Sequence, residues 1–195
     1  MDEVPQTTRL TLLIRLRDGA DKQAWSDFVE LYSPVVYGFA RRQGLQDADA
    51  ADLVQEVLRS VARSIPNYDR QKGRFRSWLM GVVRNRLSEF WAARARQATG
   101  SGDTRVLKHM EQLPSREDVE DVWEQEYRRS VFRLAVARIR DNFADSNWQA
   151  FWQTHVEGKT TREVAKSLGI SEGAVYVAKS RVMARLKEQV AILED

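Results

Sequence analysis

The sequence predicts an all-α protein, two small helical domains joined by a flexible linker, the second containing a helix-turn-helix. Three observations carry that expectation. Apolar residues recur at steps of three and four along most of the chain, the period of a helix buried on one side. No stretch sustains strand-like alternation between turn signals. One segment, Gln97 to Val119, loses the periodicity altogether.

Leu10, Leu13, Ile14 and Leu16 form a short amphipathic face behind the capping candidates Thr7 and Thr8. Trp25, Phe28, Leu31, Tyr32, Val35, Val36 and Phe39 make a longer stripe that Gly44 ends. Pro34 should kink or split it, because proline lacks a backbone donor and crowds the preceding turn. A third helix is expected from about Ala48 to Ser64, with Leu53, Val57, Leu58 and Val61 on one side and Pro66 as its stop. A fourth is expected from about Arg74 to Arg96. Then Ala98-Thr99-Gly100-Ser101-Gly102-Asp103 and Pro114-Ser115 bring linker chemistry, with too little apolar area to offset ordering entropy. Periodicity resumes near Val122 and continues to the end. The expected domains are residues 1–96 and 120–195, with residues 97–119 as the tether.

Composition sets outer limits. A chain of 195 residues, 43% hydrophobic and 30% charged, has an ordinary globular make-up. It has no cysteine, which excludes disulfides, thiolate metal sites and a thiol nucleophile. The start, Met1-Asp2-Glu3-Val4-Pro5, lacks a signal-peptide pattern. No apolar run approaches the roughly 18–20 residues that span a bilayer. A soluble, cytoplasmic protein is expected. His109 and His155 stand alone, and no phosphate loop, metal-ligand spacing or nucleophile arrangement is present, so no catalytic residue, metal or cofactor is expected.

The net charge is only +3, but it is unevenly spread. From Arg63 to Arg96 nine Lys/Arg face two acids, a local +7, and from Lys159 to Lys187 seven face two, a local +5. Glu111 to Glu126 holds seven acids and one Arg, a local −6. Opposite blocks on one chain suit a nucleic-acid binder with an acidic connector. A solvated surface gives the same counts, so spacing has to decide.

Thr161 to Ser180 has the spacing of a helix-turn-helix. Ala165 is small where the second helix crosses close, and Gly169 supplies the turn, where a positive φ is wanted. Ile170 and Val175 fill the wedge, and Ser171 is a good N-cap. An ordinary helical hairpin with a glycine turn shares these features. The second helix favours the DNA reader: Val175, Ala178, Val182 and Leu186 form one apolar face, while Tyr176, Lys179, Ser180 and Arg181 lie elsewhere, free to enter a major groove.

Two further constellations lie in the first domain. Asp49, Asp52 and Glu56 fall at i, i+3 and i+7 on one helical face, with Gln55 beside them. Like charges repel there, so either solvent or a cationic partner faces them. Next, Asn67-Tyr68-Asp69-Arg70-Gln71-Lys72-Gly73-Arg74-Phe75-Arg76-Ser77-Trp78-Leu79, with Val83-Arg84-Asn85-Arg86, interleaves aromatic and basic residues. Unpaired DNA is held that way, cations on phosphates and aromatic faces under bases. Core packing explains part of the same pattern, Trp78 and Leu79 above all.

The strings Asp52-Leu53-Val54-Gln55-Glu56-Val57, Phe75-Arg76-Ser77-Trp78-Leu79 and Arg84-Asn85 closely resemble the second region of extracytoplasmic-function (group IV) sigma factors, and the helix-turn-helix resembles their fourth region. The resemblance implies a non-catalytic subunit that binds core RNA polymerase and directs it to promoter DNA, with room for an anti-sigma factor. By it, Asp49, Asp52, Leu53, Gln55 and Glu56 would dock on the clamp helices of the polymerase largest subunit. Tyr68, Arg74, Phe75, Arg76, Arg84, Asn85 and Arg86 would melt and hold the −10 element. Ser171, Glu172, Ala174, Tyr176, Val177, Lys179, Ser180 and Arg181 would read the −35 element. The chain departs from the family's Thr-Val-Lys-Ser-Arg after the helix-start glycine, having Ala174-Val175-Tyr176-Val177-Ala178 instead. Glu89 and Ala92 also replace the usual Asp and Arg, and the stretch from Phe143 to Trp152 lacks the common Leu-Pro opening.

Two rivals remain on sequence alone. A recombinase or transposase would need catalytic carboxylates on converging elements, whereas those from Asp47 to Glu56 share one helix. A stand-alone repressor would bind duplex DNA without polymerase.

Overall fold

The computed structural model describes residues 7–101 and 116–194, and their side chains over 11–96 and 119–194. Every element among the described residues is helical, as the periodicity requires. In order they are α1 (Thr7–Leu16), α2 (Lys22–Arg42), α3 (Asp47–Ser64), 3-10 turns at Ile65–Asn67 and Arg70–Lys72, and α4 (Phe75–Ser101). After residues 102–115 come α5 (Arg116–Ile139), a 3-10 turn at Arg140–Asn142, α6 (Asp145–His155), α7 (Thr161–Leu168) and α8 (Glu172–Glu194). The expected tether at 97–119 is therefore helical at both ends, and its middle lies outside the described residues.

Contacts group Thr11–Ser130 into one compact unit and the chain from Val131 onward into another. The division falls inside α5 rather than at residue 120. Side chains explain why. Trp123 sets its ring edge-on to Phe39 at 5.6 Å, and Tyr127 stacks on Tyr32 at 6.1 Å. The Ser130 hydroxyl donates to the Leu31 carbonyl at 2.7 Å. Glu126, its side chain only 10% exposed, pairs with Arg42 at 2.8 Å and Arg129 at 3.1 Å. The acidic connector of the sequence thus carries an apolar-aromatic stripe that completes the first unit.

Within this unit α2 runs through Pro34 without a break, so the proline does not split the helix. Leu31, Tyr32, Val35 and Val36, on both sides of the proline, are all buried. Burial along that face outweighs one missing backbone hydrogen bond. The helix starts at Asp21, whose carboxylate accepts from the Ala24 N–H at 2.9 Å and takes a bidentate grip from Arg15 at 2.7 and 2.9 Å. Tyr37 donates to Asp47 at 3.0 Å, which raises the Tyr37 pKa, and joins α2 to the start of α3.

In the second unit, Ala150, Val164, Ala165, Val175 and Ala178 form a buried cluster with Leu168 and Ile170 packed against it. The turn has the predicted chemistry: Gly169 sits at φ 67°, and the Ser171 hydroxyl accepts from the Ala174 N–H at 3.1 Å. At the other end of α7, Thr160 and Glu163 form a reciprocal capping box. The Thr160 hydroxyl holds the Glu163 carboxyl below its usual pKa.

Two outcomes follow from these contacts. A Cβ on Gly38 would lie well inside contact distance of Glu126 Oε2, in a carboxylate whose other oxygen, Oε1, is held by Arg42 and Arg129. Gly38→Val should therefore cost about 1–3 kcal/mol in urea unfolding, the usual range for overpacking; an unchanged midpoint would mean that α5 does not sit tightly on α2. The second concerns acid. The Arg15 hydrogen bond lowers the Asp21 pKa to about 2 from 3.8. Because the folded value is the lower one, this contribution is complete above pH 4 and disappears as the pH falls toward 2. Asp21→Asn should lower the melting temperature at pH 7 and flatten its fall between pH 4 and pH 2.

Candidate nucleic-acid interface

Three surfaces carry the residues that the sequence singled out. On α3, Asp52, Gln55 and Glu56 are exposed. Glu56 pairs within its own helix with Arg59 at 3.2 Å, and Asp52 has no cation beside it among the described residues. Asp49 differs: Arg94 of α4 holds it at 3.1 Å, and its side chain is 20% exposed. Leu53 is buried, so it supports this face from behind rather than forming part of it.

The second surface is built by the turn between α3 and α4. Tyr68, buried, donates its hydroxyl to the Gly73 carbonyl at 2.8 Å, and Arg17, just past the end of α1, donates to the Tyr68 carbonyl at 2.8 Å. Burial pushes the Tyr68 phenol above its usual pKa, which keeps it a donor. Gly73 has φ 150°, a conformation closed to other residues, and it turns the chain into α4. Phe75 then inserts among Phe28, Tyr32, Tyr68 and Trp78, with ring centroids 5.4–6.1 Å apart. At 9% exposure its face is not open to bases. This corrects the expectation of an exposed aromatic surface: Tyr68 and Phe75 belong to the core beneath the cations.

The cations themselves divide. Arg74, Arg84 and Asn85 are exposed. Neither arginine pairs with an acid among the described residues. Arg76 is engaged, 3.2 Å from Glu124 with its guanidinium 4.5 Å from the Tyr127 ring centroid. Arg86 pairs with Glu89 at 2.6 Å, while its Nε is buried with no hydrogen-bond partner. Arg70 and Lys72, exposed in the 3-10 turn just before Gly73, extend the same surface. Sequence reasoning passed over them individually, although they were counted in the basic block.

The third surface is α8. Its buried side is Val175, Ala178, Val182 and Leu186, as the periodicity required. Ser171, Glu172, Ala174, Tyr176, Val177, Ser180 and Arg181 are exposed. The Ser171 oxygen is occupied by its cap, and Lys179 is half-buried with its ammonium 5.2 Å from the Tyr176 ring centroid. No set of three His, Cys, Asp or Glu placed to hold a metal occurs among the described residues. No helix there is long and apolar enough to cross a membrane.

Comparison with known proteins finds two matches to family models, Sigma-70 region 2 over residues 28–97 and Sigma-70 region 4 over residues 149–186. The RNA polymerase sigma factor CarQ of Myxococcus xanthus is 30% identical over 92% of this chain and 96% of its own length. The ECF RNA polymerase sigma factor SigE of Mycolicibacterium smegmatis is 28% identical over 89% of this chain and 64% of its own. Among solved structures, CnrH in complex with the cytosolic domain of CnrY aligns over 91% of this chain and 93% of that chain, with 17% identity and a TM-score of 0.36.

The burial of Phe75 has a measurable consequence. Phe75→Ala should lose about 3–5 kcal/mol of stability, the cost of emptying a core phenylalanine site, in denaturant unfolding of the chain alone. A loss below about 1 kcal/mol would mean that the ring is not integral to the core.

Proposed function

We infer the division of labour in this chain from one premise: it belongs to the RNA polymerase sigma factors, of the extracytoplasmic-function type. The chain serves in promoter recognition, and our reading assigns it to group IV. Its partners on this reading are core RNA polymerase and promoter DNA, with an anti-sigma factor as a further partner, and its place is the cytoplasm. The polymerase performs the bond chemistry, and this subunit selects the promoter and assists strand opening.

The observation that carries the reading is the pairing of two unlike basic surfaces on one chain. One is formed by Arg74 in the turn and Arg84 in α4, both exposed and without an acid partner among the described residues, beside an aromatic core. The other is a helix-turn-helix with an exposed outer face. Residues 1–96 then serve polymerase binding and the −10 element, and the second unit serves the −35 element. Asp52, Gln55 and Glu56 dock on the clamp helices of the largest subunit; Asp49 joins them only by leaving Arg94. Arg74, Arg84 and Asn85 meet the non-template strand directly. Arg76 and Arg86 reach it by exchanging Glu124 and Glu89 for phosphate. Tyr68 and Phe75 hold the turn in shape. Duplex reading falls to Glu172, Ala174, Tyr176, Val177, Ser180 and Arg181, with Ser171 and Lys179 supporting them.

Run-off transcription with purified core polymerase on genomic fragments tests the whole reading. Transcripts should start at defined promoters only when this chain is added. A stand-alone repressor would instead shift duplex DNA equally well without core enzyme.

Two sets of variants test the parts. Asp52→Arg should weaken core binding at least tenfold at an unchanged melting temperature, since charge reversal costs several kcal/mol at a paired interface and a few tenths on a free surface. Unchanged binding would remove α3 from the docking surface. Arg74→Ala with Arg84→Ala should impair open-complex formation and be partly rescued by a promoter pre-melted at the −10 element. Arg181→Ala should weaken duplex recognition and gain nothing from the bubble. Equal rescue of both would contradict the assignment.

A further inference from the structure

The side of α8 opposite its buried stripe carries an uncharged strip. Half a turn from Val175, Ala178 and Val182 lie Gly173, Val177, Ser180 and Ala184, spaced i, i+4, i+7 and i+11, and all four are exposed. None bears a charge or an amide. The centre of this face therefore lacks the forked donors with which arginine reads guanine and the amide with which asparagine reads adenine. Glu172, Tyr176 and Arg181 stand at its edges.

Val177, at the middle of the strip, is 50% exposed. A branched aliphatic side chain there gains little in the free protein, and its burial has to come from outside. The only apolar group that base pairs present in the major groove is the thymine 5-methyl. Gly173, one turn earlier, supports a close approach. It has no positive φ, and a Cβ would meet nothing nearer than the Ser171 hydroxyl at 3.9 Å. The fold has no need of glycine at this position, and glycine within a helix is unfavourable relative to alanine. What the missing side chain provides is open space on the outward face beside Val177. The surrounding basic block, +5 from Lys159 to Lys187, favours a polyanion over a neutral protein partner.

We propose that Val177 is a specificity-determining residue that reads the 5-methyl group of a thymine at the centre of the upstream promoter element. This rests on the reading of α8 as the duplex-reading helix, and it goes further by naming the chemical group read. The promoter preference of this chain is accordingly set by methyl recognition at the centre, with Arg181 acting at the edge.

The test uses core polymerase reconstituted with the full chain. A promoter library randomised over the upstream element is transcribed, and an efficient template is selected. Each thymine of that element, on either strand, is then replaced singly by deoxyuridine, which removes only the methyl. One replacement should cost the wild-type holoenzyme about fourfold in competition binding, which corresponds to about 0.8 kcal/mol for one carbon removed from water. The Val177→Ala holoenzyme should show no difference between thymine and uracil at that step, and should match wild type on the uracil template. Val177 is exposed, so the variant is expected to fold, and Val177→Thr, which keeps one methyl, should retain part of the discrimination.

Selection of only G·C pairs across the central steps, or a uracil penalty that persists in Val177→Ala, overturns the proposal. Indifference to uracil everywhere also overturns it; if Arg181→Ala still weakens the upstream interaction in that case, α8 remains the duplex reader and Val177 becomes a protein contact. If neither uracil nor Arg181→Ala has any effect, the assignment of α8 to duplex DNA fails together with the proposal.

Discussion

The candidate strand-binding surface depends on one aromatic packing constraint. Phe75 lies within 5.4–6.1 Å of four other rings, from α2, from the turn before α4 and from α4 itself. Because Phe75 points inward, its neighbours Arg74 and Arg76 must point elsewhere, one to solvent and one toward α5. The Tyr68–Gly73 hydrogen bond and the Arg17 contact to the Tyr68 carbonyl close the turn from its other side. A loop fixed in this way loses little further freedom when a ligand binds, so more of each contact appears as affinity. The aromatic residues thus contribute by holding cations in place.

The first half of α5 adds a second layer to this arrangement. Its apolar and aromatic residues dock on α2, and that docking delivers Glu124 and Tyr127 to Arg76. Both members of the Arg76–Glu124 pair are about one-third exposed, at 32% and 37%. Ion pairs at such exposure contribute roughly 0–1 kcal/mol. A phosphate, with full charge and several acceptor oxygens, competes readily for the same guanidinium. Glu126 has a different role from Glu124. It is buried, doubly paired and set against Gly38, so it belongs to the helix packing itself.

Much of this was legible in the sequence wherever local chemistry decides. The helices follow from apolar spacing, and the turn of the helix-turn-helix follows from Gly169, Ser171 and Ala165, whose roles depend on nearby residues only. What the sequence concealed depends on distant partners. Proline at position 34 argues against a helix on local grounds, and only burial on both sides overrides it. An interleaved Tyr-Arg-Phe-Arg string does not say which side chains face the core, because the choice rests on Phe28 and Tyr32, over forty residues away. The acidic run before Tyr127 looked like a connector because charges dominate its composition. Trp123 and Tyr127 were visible within it, but not the face of α2 that receives them. The Asp49–Arg94 pair joins residues 45 apart, and spacing along α3 alone could not reveal it.

On the proposed reading the charges of the two surfaces are used differently, and the difference follows from what each kind of DNA exposes. A melted strand offers phosphates and unstacked bases together, so exposed cations such as Arg70, Lys72, Arg74 and Arg84 would engage it whatever its sequence. Closed duplex offers base edges only at the floor of a groove walled by phosphates. There, charge at the rim fixes position, and groups at the centre decide sequence. On α8 the charged residues Glu172 and Arg181 flank a centre of Gly173, Val177 and Ser180. A helix that kept arginine at its centre would demand guanine for its discrimination. With a small aliphatic centre, it would come closer to the groove floor and discriminate by shape and methyl contact. On the proposed reading, the exposed residues at which this chain departs from the usual sigma-factor pattern, Ala174, Tyr176 and Val177, are the ones that would give it a promoter preference of its own, while Ala178 lies in the buried stripe that packs the helix.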